Sequence, residues 1–317
     1  MPVIAIDLGG TKLAAAVFTD QGDIVFKTNT SLEKRQGGEV GELVTQHAKD
    51  LLNKAAEINL TISSIGVSVP GIAYAKTGNV WAPNIPGWDH YPLLAELQSA
   101  IKNKEMRVRI DSDRACYILG EVWKGNARGC RDAIFLAVGT GIGAGILVNQ
   151  EVLRGAHDIG GAIGWMGLDR PYQEKYNNCG CFEYHASGKG LARVAKELLD
   201  SGIYNQSKLS AISHSSLSAK DVFAAYETGD DLSKKIIGNA IECWGMAVAN
   251  LVSLFNPEKI IFGGGVFGPA IQFLDAISAE ARKWAQPISM KQVVLTGSAL
   301  GNDAGLYGAG YLAVNGF

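Results

Sequence analysis

The sequence has little of what marks several large classes of protein. Its formal net charge is only −2, from 29 basic and 31 acidic residues, so it lacks the basic excess typical of nucleic-acid-binding proteins. Five cysteines in 317 residues, an odd number, indicate reduced thiols in a cytosol rather than a disulfide framework. The uncharged stretch at 133–148 falls short of the roughly 20 residues of a membrane span. We therefore expect a cytoplasmic protein with neither nucleic-acid nor membrane partners.

Several targeting and ligand-binding motifs are also missing. The opening residues "PVIAIDLGG" contain no basic region and no cleavage site, so we expect no signal peptide. The first strand should begin at residue 2 or 3, which leaves no room for an N-terminal helix-turn-helix. No G-x-x-x-x-G-K-[ST] sequence occurs, which excludes a P-loop protein. G-x-G-x-x-G-like sequences occur at 139–144 and 263–268, but the first leads into strand residues, so the dinucleotide-binding context fails.

What is present is an ordinary globular composition, with 47% hydrophobic and 19% charged residues. The length favours two domains or two packed lobes. Apolar periodicity predicts short strands early in the chain, an amphipathic helix at 40–58 and strands again from 133 to 154. Residues 155–188 are glycine-rich and irregular, and the remainder is mostly helical apart from a strand at 259–264. This mixture predicts α/β layers.

The stretch "AIDLGGTKLAAAVF" at 5–18 places an acid, two glycines, a hydroxyl and a lysine at the tip of strand material. A β-hairpin turn accounts for the glycines, and a phosphate cradle with a carboxylate for a metal ion accounts for the whole set. The stretch "FLAVGTGIGAGILV" at 135–148 repeats the design about one domain length later. Two such turns facing each other across a cleft could hold one polyphosphate.

Six ordered blocks together resemble the ROK family of sugar kinases, within the actin/hexokinase-like ATPase superfamily. They are "DLGGTK" at 7–12, "VPG" at 69–71, "APNIPGW" at 82–88, "VGTGIGAGI" at 138–146, "IIFGGGV" at 260–266 and "GNDAGLYGAGYLA" at 301–313. The resemblance implies two actin-like (ribonuclease-H-like) lobes around a nucleotide and sugar cleft. The smaller lobe would comprise 1–112 with a C-terminal helix at about 301–317, and the larger lobe 113–300. It also implies a homodimer.

The same resemblance implies ATP and Mg²⁺ in the cleft and phosphoryl transfer to a sugar hydroxyl. It assigns the general base to Asp113, eight residues before Glu121, with Asp111 as the fallback unless it is a solvated strand end. Asp7 would hold Mg²⁺ through water, and Lys12 would lie near the phosphates unless it is only an exposed hairpin charge. The implied nucleotide-binding residues are Asp7, Gly9, Gly10, Thr11, Lys12, Gly139, Thr140, Gly141, Gly264 and Gly265. The implied substrate-binding residues are Gly71, Asn84, Ser112, Trp165 and Glu183, with Asp89 as a further possibility.

The chain departs from the family pattern around the sugar. Ser112 stands where family members have Asn, and Ala162 and Trp165 replace the Glu and the zinc-ligating His of a Glu-x-Gly-His motif. Trp165 could stack on a pyranose face or pack in the core.

The family's cysteine motif is also degraded. Only Gly180, Cys181 and Glu183 keep its register, and Cys179 is out of place. Cys179 and Cys181 with His185 or His157 could improvise a zinc site, but we expect packing around Trp165, Phe182 and the tyrosines to replace the metal.

Three functions remain open from the sequence. The leading one is an ATP-dependent, glucokinase-like hexose kinase. The second is a kinase of another acceptor, such as an amino sugar or a glycoside, and the third is a non-catalytic sugar-binding regulator. A sugar panel separates the first two, and ATP turnover separates both from the third. The sequence leaves ATP and polyphosphate open as donors.

Overall fold

Two five-stranded mixed sheets organise the chain, in a computed structural model that describes residues 1–101, 103 and 105–315. The first sheet contains β1 (Val3–Leu8), β2 (Lys12–Phe18), β3 (Ile24–Ser31), β4 (Ser64–Val69) and β7 (Arg107–Ser112). The second contains β8 (Ala133–Val138), β9 (Ile142–Val148), β10 (Glu151–Val152), β11 (Lys259–Gly263) and β12 (Val294–Gly297). A small hairpin pairs β5 (Ile72–Ala73) with β6 (Val80–Trp81).

The two sheets have the same topology. Their strand orders are β3-β2-β1-β4-β7 and β10-β9-β8-β11-β12, with antiparallel pairing in the first half of each and parallel pairing in the second. β8 and β9 begin 130 residues after β1 and β2, respectively. The internal duplication predicted from the two glycine-containing stretches is therefore confirmed, as is the α/β class.

Helices cover the sheets and end mostly where glycine or a β-region residue follows the last turn. Their bounds are α1 (Gly38–Glu57), α2 (Leu93–Ala100), α3 (Asp113–Lys124), α4 (Cys181–Ala186), α5 (Gly188–Asp200), α6 (Ala219–Glu227), α7 (Asp231–Phe255), α8 (Leu274–Trp284), α9 (Pro287–Gln292) and α10 (Ala304–Asn315). In the described part of the chain, α7 alone is long and apolar enough to cross a membrane. Most of that apolar stretch is buried around Trp244, so it is weak support for a membrane span.

β1 is almost wholly buried because helices cover both faces of the first sheet. Ile4 and Ile6 belong to the cluster that packs beneath α1, and Val3 and Ala5 to the cluster beneath α10. Side chains alternate along a strand, so Asp7 continues the face of Val3 and Ala5. The sheet therefore delivers this acid to its carboxyl edge, under the start of α10.

α3 and α10 each follow the last strand of one sheet and pack against the other. α10 lies on β1 and β4 of the first sheet, and α3 lies on β8 and β9 of the second. The two helices cross at small residues: a β-carbon at Gly308 would overlap the Cys116 carbonyl, and one at Gly120 would overlap that of Ala304. This close crossing joins the two halves of the molecule.

Three local features differ from the sequence interpretation. The segment after 188 contains a second strand, β12, in addition to the predicted strand at 259–264. The sequence interpretation overlooked it because it is short and lies at the sheet edge. The irregular region 155–188 ends in a helix, α4. β11 leads through two 3₁₀ turns, Gly265–Phe267 and Pro269–Phe273, before α8 begins.

Candidate active site

The first glycine turn connects β1 to β2 and is closed by a hydrogen bond from the Gly9 amide to the Lys12 carbonyl, 2.8 Å long. Thr11 and Lys12 are exposed at its tip, as a binding turn requires. Asp7 precedes the turn and packs against the start of α10, since a β-carbon on Gly305 would stand 2.7 Å from the Asp7 carboxyl carbon. The sequence thus places one carboxylate, one ammonium and free backbone at the same edge.

Asp113 is the first residue of α3 and lies at the carboxyl edge of the same sheet. Burial raises the pKa of Asp113 to about 6, the Arg114 cation lowers it, and the charge of Asp7 raises it again. Burial likewise raises the pKa of Asp7 to about 6, against the lowering effect of the Lys12 ammonium. Two half-buried carboxylates with raised pKa values are typical of a site that binds a cation or a proton.

Ser68 lies between the acidic residues of this edge. Strand register pairs Asp7 of β1 with Ser68 of β4, and Ser68 in turn with Asp111 of β7. The Ser68 hydroxyl is fully buried and makes no hydrogen bond to the described residues. Hard oxygen ligands of this kind suit Mg²⁺, so the donor set fits the implied metal. The signal that could have found Ser68 is its place just before the "VPG" block.

Asp111 is not a solvated strand end, so that alternative interpretation was wrong. Its side chain is 7% exposed, and its Oδ2 accepts hydrogen bonds from Nε and Nη2 of Arg154 at 3.0 and 2.6 Å. The ion pair occupies the carboxylate, which disfavours Asp111 as the base. Ser112 is also buried, and its hydroxyl accepts from the Ala115 amide at 3.3 Å as the cap of α3. The sequence interpretation did not identify Arg154, which lies outside the six sequence blocks that resemble the ROK family.

The second glycine turn connects β8 to β9. It is closed by a hydrogen bond that the Gly139 amide donates to the Gly141 carbonyl, 2.9 Å long. The amide of Gly188, at the start of α5, donates to the Gly139 carbonyl at 2.8 Å. Gly264, after β11, has φ +87°, and a β-carbon there would stand 2.5 Å from the Val138 carbonyl oxygen. Only glycine fits this approach. The second turn and the Gly264–Gly265 segment are thus neighbours.

Glu183, on α4, lies against the second turn. Its Oε2 accepts from the Ile142 amide at 2.7 Å, and burial raises its pKa despite this bond. Gly164 packs on the Glu183 side chain, which brings the segment containing Ala162 and Trp165 to the same place. Trp165 is 59% exposed, so the core-packing interpretation of this residue was wrong. It remains available to a ligand.

Two further predicted substrate residues lie beside the first turn and α3. Asn84, in the proline-rich loop, is exposed, and a β-carbon on Gly10 would stand 3.2 Å from its Cβ. The Gly71 carbonyl accepts from Nη2 of Arg114 at 3.1 Å. Asp89 is exposed on the same loop. Arg114, next to the candidate base, is another candidate site residue that the sequence interpretation did not single out.

The degraded cysteine motif forms a tyrosine-rich cluster. Tyr176 and Tyr184 are buried with Cys181, and the Tyr176 hydroxyl lies 3.0 Å from Nε2 of His185. The Cys179 sulfur accepts from Arg193 at 3.5 Å. Over residues 1–101, 103 and 105–315 no group of three or more His, Cys, Asp or Glu side chains is arranged to hold a metal ion. Trp165, expected in this packing, lies outside it.

Comparison with known proteins decides the family. The family model described as the ROK family matches residues 3–315. This chain belongs to the ROK family. A glucokinase of Halalkalibacterium halodurans is 33% identical to this ROK protein over 317 residues, which cover 98% of this chain and 94% of that protein. The resemblance identified from the six sequence blocks is therefore confirmed.

Solved structures of other ROK proteins share the fold. A ROK hexokinase from Thermus thermophilus superposes with a TM-score of 0.80 at 28% identity, covering 99% of this chain and 98% of that one. A ROK family glucokinase from Streptomyces griseus, in complex with glucose and AMPPNP, gives a TM-score of 0.78 at 26% identity, with both chains fully covered. The expected actin-like two-sheet architecture of this ROK chain is thus confirmed.

Proposed function

We propose that this protein is an ATP-dependent sugar kinase that transfers the γ-phosphoryl group to a hydroxyl of a hexose or a related sugar. The observation that carries the proposal is the half-buried Asp113 at the start of α3, with its raised pKa, beside Asp7 and the first glycine turn. Its similarity to a glucokinase and to a glucose- and AMPPNP-bound ROK glucokinase supports this chemistry.

The nucleotide would lie between the two glycine turns. Gly9, Gly10, Thr11 and Lys12 offer exposed backbone and one ammonium to the phosphates on one side. Gly139, Thr140 and Gly141 would offer backbone and a hydroxyl, without an ammonium, on the other side. Gly264 and Gly265, which adjoin that turn, would receive the adenosine. The two turns lie at equivalent edges because the two sheets have the same topology.

Asp113 would act as the general base. Phosphoryl transfer needs positioning and charge neutralisation more than covalent catalysis, and a carboxylate to accept the hydroxyl proton. A pKa of about 6 leaves Asp113 ionised at neutral pH yet basic enough to take that proton. Asp111 cannot easily share this role, because its carboxylate is paired with Arg154.

Asp7 would hold Mg²⁺ through water, with Ser68 behind it. Magnesium, when bound, neutralises charge on the phosphates of the nucleotide. Partial burial of the Asp7 carboxylate disfavours its charged form and raises its pKa, and a bound cation would offset that cost. Zinc has no part in the proposal, since Tyr176 and His185 occupy the region of the family's cysteine motif.

The acceptor would lie near Asp113, Gly71, Asn84, Ser112 and Glu183, with Trp165 free to stack on a sugar face. Ala162 removes one carboxylate that other ROK kinases present, and Ser112 already caps α3. These changes keep a second acceptor class open, namely an amino sugar or a glycoside.

We also propose the division of the chain and its setting in the cell. Residues 1–112 with the helix at about 301–317 would form the smaller lobe, because α10 packs on the first sheet, and 113–300 the larger lobe. Residues 316–317 lie outside the described part of the chain. The five free cysteines and the charge of −2 support a cytoplasmic protein that binds neither nucleic acid nor membrane. A homodimer rests on the family resemblance alone.

The experiment is ADP release with MgATP across hexoses, amino sugars and glycosides, run beside an Asp113→Asn variant. We expect turnover on one acceptor, reduced by about three orders of magnitude or more in the variant. Replacing ATP by polyphosphate in the same assay identifies the donor.

Two results would overturn this proposal. Absence of turnover on every acceptor, with sugar still bound in calorimetry, would favour the non-catalytic regulator. Equal turnover in wild type and Asp113→Asn would refute the assignment of the base.

A further inference from the structure

We propose that Arg154 is a positioning residue for the reaction, acting through Asp111 to hold the base Asp113 in register with the acceptor segment. The inference rests on the proposed function. It comes from an ion pair between the end of β7 in the first sheet and the loop that follows β10 in the second.

The ion pair is short, and its carboxylate is largely removed from solvent, whereas Arg154 stays partly exposed. Nε and Nη2 of Arg154 both donate to Oδ2 of Asp111, at 3.0 and 2.6 Å, and Asp111 is buried. A pair of this kind costs desolvation and is a poor source of stability, so its main effect is to fix the geometry around Asp111. The planar guanidinium fixes direction as well as charge.

Asp111 transmits this fixed direction to the base. Its second oxygen, Oδ1, accepts from the Ser112 amide at 2.8 Å, and the Ser112 hydroxyl caps the Ala115 amide. Asp113 follows directly as the first residue of α3. Asp111 therefore fixes the junction at which β7 ends and α3 begins, and Asp113 is the first residue after this junction.

The loop that carries Arg154 is itself firmly built. The Leu153 amide donates to the Ile146 carbonyl and the Gly160 amide to the Arg154 carbonyl, each at 2.8 Å. The Ala144 amide donates to the Gly161 carbonyl, also at 2.8 Å. The loop is thus attached to β9 at both ends, and it leads directly into Ala162.

A second hydrogen bond also connects this loop of the second half to the first half of the molecule. Oδ2 of Asp158 accepts from the Ala75 amide at 3.1 Å, next to the small β5–β6 hairpin. Arg154 and Asp158 therefore connect one rigid loop of the second half to two points of the first. The distance between the base and the segment containing Trp165 depends on these connections.

The test is a set of variants assayed with the acceptor identified by the sugar panel. Arg154→Ala should lower kcat by about 100-fold, because a displacement of about 1 Å at the reacting groups costs that much. The KM for MgATP and the affinity for AMPPNP should stay within about twofold. Arg154→Lys should recover part of kcat, since it restores the charge without the fork. Arg131→Ala, a surface arginine bonded to Asn149, is the matched control.

Asp111→Asn guards against an Arg154→Ala protein that does not fold. It keeps the shape of the side chain and should lower kcat about tenfold. The double variant, Arg154→Ala with Asp111→Asn, should have a kcat no lower than that of the less active single variant. Unchanged kcat in Asp111→Asn, or equal losses of kcat and nucleotide affinity, would overturn the inference. Wild type and Asp113→Asn in the same assay report on the proposed function separately.

Discussion

The two halves of the molecule share one scaffold and differ in charge. β1 and β2 correspond to β8 and β9 at an offset of 130 residues, so Asp7 of the first half matches Ala137 of the second, and Lys12 matches Ile142. Both turns offer glycine and free backbone. Only the first carries a carboxylate and an ammonium on its own strands, whereas the carboxylate beside the second turn, Glu183, comes from α4. The scaffold is therefore duplicated, but its strands carry charged residues at only one of the two turns.

The largest effect is expected when the carboxylate of the first half is removed, because the second half has no acid at the matching position. Asp7→Asn should lower kcat/KM by about 100- to 1,000-fold, because a preorganised charged group at the phosphates is lost. Ala137→Ser, a polar change at the matching position, should stay within about threefold. Steady-state kinetics at saturating MgATP checks both. Similar losses in the two variants would mean that the halves share the work equally.

A second test uses stability and pH. Because burial raises the pKa of Asp113 to about 6 from 3.8, the folded protein binds more protons than the unfolded chain between those values. The contribution of Asp113 to the free energy of unfolding is therefore largest below pH 4, and it is lost as the pH rises through 6. Asp113→Asn should raise the free energy of unfolding by about 2 kcal/mol at pH 7, and the gain should shrink as the pH falls toward 4.

Asp111→Asn is the control for that measurement, made by urea denaturation at each pH. It should lower stability at pH 7, because it leaves Arg154 without its carboxylate partner. A stabilised Asp111→Asn protein, or a gain for Asp113→Asn that does not vary with pH, would contradict the assigned burial.

The smallest expected effect concerns Lys12. Its side chain is exposed at the start of β2, so water and salt screen its charge. Lys12→Ala should raise the KM for MgATP by about three- to tenfold at low ionic strength, and by less in 0.5 M salt. Ile142→Ala, at the matching position of the second turn, should show no salt dependence. A KM that ignores salt in Lys12→Ala would favour a structural role for this lysine.

The sequence was informative where local chemistry repeats. The glycine turns, β1, β2, β8 and β9, and the α1 helix follow from apolar periodicity and turn residues within a few positions. The edge strand β12 was missed because four half-exposed residues carry too little pattern to separate a strand from a helix end. The exposure of Trp165 was equally beyond local pattern, since it depends on Gly180 and α4 packing behind it.

By itself the sequence determined the family, the two-lobed α/β class, the two turns and the candidate base, because each is written in contiguous residues. Only the tertiary structure decided which of the two acids flanking Ser112 is held in an ion pair. Arg154 is 43 residues from Asp111 along the chain, and no local rule links them. The pKa of Asp113 and the orphaned hydroxyl of Ser68 likewise depend on what surrounds them. Burial and charge pairing are properties of neighbours in space, and only the folded chain brings these neighbours together.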